Sequence, residues 1–154
     1  AKARGIEKER IVFAKTVSYQ EHLARHRCAD LMLDTLYYNA GTVASDALWM
    51  GLPILTTPGD SFSSRMATSL LTTIGVPELI APTREDYEQT AGELAQNPDR
   101  LAAIKKKIEE RRSTSPLFDM ELYTKNLEAG YRAITRRSRR GRPPAHMTIG
   151  RAPR

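Results

Sequence analysis

The sequence predicts an α/β domain with a short parallel sheet, flanking helices and a helix at its C-terminal end. The first observation behind this prediction is a central stretch, residues 29–57, in which an apolar run, a glycine-containing turn, a short helical pattern and a second apolar run follow one another. The second is a series of helical patterns from residue 62 onward, which supplies the helices that cover a sheet. Together they predict one βαβ unit with helical additions.

Composition excludes several classes of protein. With 40% hydrophobic and 27% charged residues, the 154-residue chain has the composition of one ordinary globular domain. Its apolar runs are too short to span a bilayer, so no membrane partner is expected. The single cysteine, Cys28, excludes an internal disulfide framework and favours a reducing compartment, from which we expect a cytoplasmic location.

The net positive charge comes from the end of the chain. Residues 136–154 contain seven arginines and no acidic residue, and subtracting them from the net charge of +6 leaves −1 for residues 1–135. The body of the domain is therefore close to neutral, and nucleic acid is not an expected partner. The alternative, nucleic-acid binding through the Arg-rich tail, depends on that segment alone.

The central stretch can be assigned element by element. Ala29–Asp34 is predicted as a buried strand, and Tyr37–Gly41 as the turn that follows it. Thr42–Met50 has the pattern of a short helix, with three apolar residues (Ala44, Ala47 and Leu48) available to face the sheet. Gly51 ends this helix, and Ile54–Thr57 is the second strand. The turn after the first strand is where an open α/β sheet binds its ligands.

Two residues of this unit suggest what the ligand is. Free N–H groups at the start of the Thr42 helix suit a phosphate. Asp46 lies four residues later, on the same face, where it could accept from a pair of ribose hydroxyls. An ordinary βα turn without a ligand explains the same residues equally well, because one glycine loop is a weak signal.

The first part of the chain predicts one more strand and one helix. Ala1–Glu9 is interpreted as a helix end and a loop, and Arg10–Ala14 as a strand of β-branched and aromatic residues. Ser18–Glu21 has the spacing of a capping box for a helix that runs to about Cys28.

Three residues of this helix could suggest a metal, namely His22, His26 and Cys28. No further ligand is obviously placed, and a zinc site needs three or four in suitable geometry, so no metal is expected. His22 and Arg25 share one face of the helix. The simplest interpretation of His22 is a partly exposed histidine without a function.

After the central unit the pattern is mainly helical. Helices are predicted at about residues 62–74, 84–96 and 99–112, with a last short strand at Pro77–Ala81. A final helix has an apolar side formed by Leu122, Leu127, Tyr131 and Ile134. The domain is predicted to span residues 1–137, and the Arg/Pro-rich residues 138–154 to be disordered.

Several segments in this order resemble one enzyme family. They read RIVFAKTVSYQEHLARHRCADLMLDT, YNAGTVASDALWMGLPILTTPG, SFSSRMATSLL, GVPELIAPTREDYE and SPLFD. Over roughly residues 1–135 the chain resembles the C-terminal, donor-binding portion of the O-linked N-acetylglucosaminyltransferases (O-GlcNAc transferase and SPINDLY-like proteins), in their bacterial branch. The resemblance implies a partial Rossmann-like domain, incomplete at its N-terminus, from the second half of a GT-B type glycosyltransferase.

The resemblance also implies an activity and a set of binding residues. The family transfers N-acetylglucosamine from UDP-N-acetylglucosamine to serine or threonine hydroxyls, without a metal or other cofactor. By this resemblance, His22 and Arg25 would contact the uracil, and Val17 through Tyr19 would line the base and ribose. Thr42 would contact the diphosphate, and Asp46 would bind the ribose. Gly41 and Val43 flank Thr42 where the family usually has histidine and threonine, so two donors to the phosphates are replaced.

The family's N-terminal catalytic domain, its helical repeats and the lysine that neutralises the leaving diphosphate are not expected within these 154 residues. No catalytic residue is therefore assigned, and the isolated chain is expected to be inactive. We therefore interpret the chain as the UDP-sugar-binding half of a protein O-GlcNAc transferase. The alternative is a truncated, non-catalytic remnant that acts as a binding or interaction module.

Overall fold

A two-stranded parallel sheet lies at the centre of the protein, which is described by a computed structural model covering residues 1–150. Strand β1 is Met32–Leu33 and strand β2 is Ile54–Leu55. Met32 pairs with Ile54 and Leu33 with Leu55, and the ladder continues at Asp34, whose N–H donates to the Leu55 carbonyl at 3.0 Å. The strands are shorter than the predicted runs, but the parallel pairing confirms the predicted sheet.

Six α-helices accompany this sheet in the described part of the chain. They are α1 (Tyr19–Arg25), α2 (Thr42–Trp49), α3 (Met66–Ile74), α4 (Arg84–Gln96), α5 (Pro98–Arg112) and α6 (Met120–Arg139). Helix α2 connects β1 to β2, so strand, turn, helix and strand form the predicted βαβ unit. Among residues 1–150, no helix has both the length and the apolar content needed to cross a bilayer.

Helix α1 begins with the predicted capping box. The Glu21 N–H donates to Ser18 Oγ at 3.3 Å, and the Ser18 N–H donates to Glu21 Oε2 at 3.0 Å. The hydrogen bonds from the Ser18 hydroxyl and N–H lower the pKa of the Glu21 carboxyl. The start of α1 is therefore determined by local residues, as expected for a capping box.

The strand predicted at Pro77–Ala81 forms only in part. Pro77–Leu79 is a 3₁₀ turn, and the pairing with the sheet is a single parallel bridge between Thr56 and Ile80. Two hydrogen bonds hold this bridge, from the Thr56 N–H to the Leu79 carbonyl at 3.1 Å and from the Ala81 N–H to the Thr56 carbonyl at 2.9 Å. Proline has no N–H and a fixed φ, which favours the turn over a longer ladder.

The strand predicted at Arg10–Ala14 is wrong for this structure. Lys8–Arg10 is a 3₁₀ turn, and residues 11–18 have no regular secondary structure. Val12 is 85% exposed and Phe13 is 90% exposed. A β-branched sequence becomes a strand only beside a partner, and within residues 1–150 the sheet consists of β1 and β2 alone.

The hydrophobic core forms where α2, α3 and α5 pack beside β2. Its buried members are Ala44, Ala47, Leu48, Leu52, Ile54, Ala67, Leu71, Ile74, Val76, Leu79, Leu94, Ile104 and Ile108. The three α2 residues predicted to face the sheet, Ala44, Ala47 and Leu48, are all fully buried. This packing fixes α2 against β2, so the start of α2 lies at the carboxyl end of β1.

The predicted apolar side of the last helix is mostly exposed to solvent. Leu122 is buried, whereas Leu127, Tyr131 and Ile134 are 42%, 62% and 53% exposed. Helix α6 continues through Arg139, two residues beyond the predicted end of the domain. Disorder in residues 138–154 stays a prediction, and residues 151–154 lie outside the described part of the chain.

Candidate functional site

The loop at residues 35–41 connects the end of β1 to the start of α2. Gly41 is the N-cap residue and makes no side-chain cap hydrogen bond, and the first helical bond runs from the Ser45 N–H to the Gly41 carbonyl at 3.0 Å. The N–H groups of the first turn therefore keep their donor capacity, and Thr42 and Val43 are both exposed. Such a helix start attracts an anion through its N–H groups and its dipole.

A cavity of about 550 Å³ opens at this loop. Its lining residues are Thr35, Tyr38, Asn39, Ala40, Gly41, Thr42, Val43, Phe62, Ser63 and Met66. The volume falls within the range of about 300–1,000 Å³ typical of small-molecule sites. Three predicted site residues, Gly41, Thr42 and Val43, thus share one concave surface.

Sequence reasoning missed the far wall of this cavity. Phe62 and Met66 come from the segment after β2, and the loop is held to this segment by a hydrogen bond from the Asn39 N–H to the Ser63 carbonyl at 2.9 Å. Phe62 is 83% exposed, so its ring is accessible at the cavity wall. The parallel order of β1 and β2 was the available signal, because it places the loops that follow both strands side by side.

Helix α1 contributes a second group of predicted residues. The Arg25 guanidinium donates through Nη2 to His22 Nδ1 at 2.6 Å and through Nη1 to the Lys15 carbonyl at 3.0 Å. Because arginine can only donate, His22 Nδ1 accepts, and the proton of the neutral ring lies on Nε2. His22 can therefore present an N–H donor to a ligand, and its ring meets that of His26 edge-on at 4.8 Å.

One side-chain hydrogen bond joins α1 to α2. The Tyr19 hydroxyl donates to Asp46 Oδ1 at 3.1 Å. This bond raises the pKa of the Tyr19 hydroxyl, with smaller contributions from burial and from the negative charge of Asp46. A ribose hydroxyl that binds Asp46 must therefore share this carboxylate with Tyr19 or displace it.

The structure brings together some of the predicted site residues. It places Tyr19 against Asp46, and it places Gly41, Thr42 and Val43 around the cavity. His22 and Arg25 form their own pair on α1, and Val17, 41% exposed, precedes that helix. The ligand roles of all eight residues stay predictions.

The two residues that depart from the family pattern are open to substitution. Gly41 has φ −99° and ψ −88°, outside the regions that most residues favour, whereas an added Cβ would lie 3.8 Å from Met66 Cε, an ordinary contact. Val43 is 44% exposed in the first turn of α2. Both positions therefore have room for a larger side chain, and one at Gly41 also requires a backbone shift toward a favoured region.

A parallel βαβ unit with a cavity at the carboxyl end of β1 defines the class of protein, an α/β domain of the kind that binds ligands at this end of the sheet. Residues 1–127 match the family model "Glycosyl transferase family 41", and the chain belongs to this family. The matched range agrees with the resemblance predicted over roughly residues 1–135.

Two curated relatives carry the name of one enzyme activity. The chain is 39% identical over 145 residues to the Caenorhabditis elegans "UDP-N-acetylglucosamine--peptide N-acetylglucosaminyltransferase", covering 94% of this chain and 13% of that protein. It is 35% identical over 150 residues to the Arabidopsis thaliana "Probable UDP-N-acetylglucosamine--peptide N-acetylglucosaminyltransferase SEC", covering 97% of this chain and 15% of that protein. The chain therefore spans about one seventh of the length of these relatives.

A solved structure shows the same fold. A mutant of the Thermobaculum terrenum O-GlcNAc transferase superposes on 86% of this chain and 26% of its own, with 31% identity and a TM-score of 0.81. This likeness confirms the predicted fold class, an α/β domain with a short parallel sheet that resembles part of a GT-B type glycosyltransferase. It also confirms the predicted family resemblance.

Proposed function

We propose that the chain is the UDP-sugar-binding half of a protein O-GlcNAc transferase. In the complete enzyme a serine or threonine hydroxyl of an acceptor protein attacks the anomeric carbon of N-acetylglucosamine, and UDP leaves. The observation that carries the proposal is the start of α2, where unused N–H groups and the Asp46 carboxylate one turn later lie at the carboxyl end of β1. Membership of glycosyl transferase family 41 supports it.

The residues present fit a nucleoside diphosphate. The N–H groups and the hydroxyl of Thr42 would bind the diphosphate, and Asp46 would accept from the ribose. At the other end of the nucleotide, the Nε2–H of His22 would donate to a uracil carbonyl, with Arg25 holding the ring. Val17 and the ring of Tyr19 would line the base and ribose.

We also propose that the donor binds without a metal, in a cytoplasmic protein. The chemistry that supports this is the donor set itself, since backbone N–H groups and a helix dipole can offset diphosphate charge. In the described part of the chain no three His, Cys, Asp or Glu side chains gather as a metal site would require. The free, exposed thiol of Cys28 suits a reducing compartment.

Replacing Asp46 by alanine tests the proposal. Asp46→Ala should weaken UDP binding by about 1.5–3 kcal/mol, because it removes a charged acceptor from the ribose. The melting temperature should stay close to that of the wild type, since Asp46 has one described side-chain partner, the exposed Tyr19 hydroxyl. Isothermal titration with UDP and a thermal melt measure the two quantities.

Tyr19→Phe is the matched control for this substitution. It removes the same hydrogen bond, 3.1 Å long, but leaves the carboxylate in place. UDP should bind this variant at least as tightly as the wild type, because Asp46 no longer shares its oxygen with the hydroxyl. An Asp46→Ala variant with unchanged affinity and an unchanged melt would remove Asp46 from the site.

Restoring the family residues around Thr42 should strengthen the interaction with the phosphates. Gly41→His combined with Val43→Thr adds an imidazole donor and a hydroxyl at positions that have room for them. We expect a gain of about 1.5–3 kcal/mol for each new hydrogen bond to a charged oxygen. The gain should appear for UDP and not for uridine, and equal gains for the two ligands would contradict the phosphate assignment.

Gly41 and Val43 favour one alternative, a remnant that keeps the fold and acts as a binding or interaction module. Titration of the wild type with UDP, using ADP as the control, separates the two functions. Preferential binding of UDP supports the donor-binding half. Absence of binding to both nucleotides supports the remnant.

A further inference from the structure

A buried carboxylate lies directly behind the candidate site. Asp34 follows β1 and is 6% exposed. Within residues 1–150 no salt bridge includes it. A buried carboxylate without a cation must be stabilised by hydrogen-bond donors, so the donors around Asp34 indicate what it does.

One oxygen of this carboxylate closes the loop at residues 35–41. Asp34 Oδ1 accepts from the Thr35 N–H at 2.8 Å and from the Ala40 N–H at 2.8 Å. The two N–H groups come from the two ends of the loop, and Ala40 is two residues before the first residue of α2. A single side-chain atom therefore holds the ends of the loop together.

The other oxygen attaches the loop to the sheet. Asp34 Oδ2 accepts from the buried Thr56 hydroxyl at 2.7 Å, and Thr56 directly follows β2. The Tyr87 hydroxyl of α4 donates to the Asp34 backbone carbonyl at 2.9 Å. Burial, and to a smaller degree the nearby charge of Asp34, raise the pKa of that hydroxyl, so it remains a donor.

We infer that Asp34 is a positioning residue for the diphosphate, because it holds the loop in the shape that leaves the N–H groups at the start of α2 open. The inference rests on the proposed function. Asp34 does not contact the ligand itself. It acts through Ala40 and Gly41, which precede Thr42.

The geometry predicts which substitutions the position tolerates. Asparagine keeps an oxygen for the Thr35 and Ala40 N–H groups, and its amide can donate to Thr56 Oγ1, so Asp34→Asn should keep the loop closed. Asp34→Ala leaves three donors without an acceptor. The loop should then open even where the core is intact.

The experiment compares the wild-type chain with Asp34→Ala and Asp34→Asn. Asp60→Ala is the matched control, because Asp60 is an exposed aspartate in the turn after β2. Amide hydrogen exchange is measured at Ala40 and Thr42, with core amides of α3 as the internal reference. Affinities for UDP and for uridine are measured on the same samples.

For Asp34→Ala we expect exchange at Ala40 to rise about tenfold or more and UDP affinity to fall about tenfold, while uridine affinity changes by less than about threefold. Asp34→Asn should restore both quantities to within about threefold of the wild type. Asp60→Ala should resemble the wild type throughout. A merely structural role would instead weaken both ligands equally and raise exchange in α3 as well.

Several results would overturn the inference. They are equal losses of UDP and uridine affinity in Asp34→Ala, unchanged exchange at Ala40, or an Asp34→Asn variant as impaired as Asp34→Ala. If Asp34→Ala does not fold, Thr56→Val replaces it, since valine has nearly the same shape and lacks the hydroxyl. It should weaken UDP about threefold or more and leave uridine unchanged, and equal losses would overturn the inference.

The inference and the proposed function fail in different ways. A wild-type chain that does not bind UDP overturns the proposed function, and with it the role of Asp34 toward a diphosphate. A wild-type chain that binds UDP, together with an Asp34→Ala variant of unchanged affinity and loop exchange, overturns the role of Asp34 alone.

Discussion

The 154-residue chain is expected to bind UDP and to transfer no N-acetylglucosamine to a peptide acceptor. Transfer requires an acceptor hydroxyl about 3–3.5 Å from the anomeric carbon, a group that takes its proton and a cation near the leaving diphosphate. His22, the histidine assigned to the nucleotide, is hydrogen-bonded to Arg25 at the base end of the proposed site. The chain spans 13% and 15% of the lengths of two transferase relatives, so the expected effect is complete loss of turnover.

Incubation with radiolabelled UDP-N-acetylglucosamine and a mixture of serine- and threonine-containing peptides measures this result. A UDP titration on the same preparation is the control, because it distinguishes a folded, binding chain from a damaged one. A full-length member of the family serves as the positive control for the peptides. Robust transfer by the 154-residue chain would contradict the expectation and the division of roles behind it.

Truncation of Leu71 should have the largest effect on stability. Leu71 lies in α3, is fully buried and belongs to the core cluster that holds α2 and β2. Leu71→Ala should lower the free energy of unfolding by about 2–5 kcal/mol, from the lost transfer free energy and the cavity left behind. Since small domains have about 5–15 kcal/mol in total, the variant should be close to unfolding.

Leu127→Ala is the matched control, a leucine to alanine change in another helix. Leu127 is 42% exposed in α6, so the expected loss is less than about 1 kcal/mol. Urea denaturation followed by circular dichroism gives both free energies. Equal losses for the two variants would show that the core is not centred on α3 and β2 in solution.

The elements that sequence reasoning predicted well are those determined by neighbours in the chain. The Ser18–Glu21 capping box joins residues three apart, and the Glu21 N–H donates to Ser18 Oγ at 3.3 Å as predicted. The apolar spacing of α2 placed its buried face correctly, because a helix repeats every 3.6 residues whatever surrounds it. Local rules were sufficient for these elements.

The strands depended on partners that a linear pattern does not contain. Arg10–Ala14 has the composition of a strand but no neighbouring strand within residues 1–150. Pro77–Ala81 pairs only at Ile80, because its proline starts a turn. A strand gains its hydrogen bonds from another segment, so composition alone predicts a tendency and not a ladder.

For the candidate site, the sequence determined the family, the order of strand, loop, helix and strand, and the residue types at the start of α2. Only the tertiary structure decided that Tyr19 donates to Asp46, 27 positions away, and that the Asp34 carboxylate joins both ends of the loop to Thr56. It also decided that Phe62 forms a wall of the cavity. Helix starts and turns are set by bonds between near neighbours, whereas Tyr19 and Asp46 are 27 positions apart and Asp34 and Thr56 are 22 apart, so these contacts form only when the chain folds.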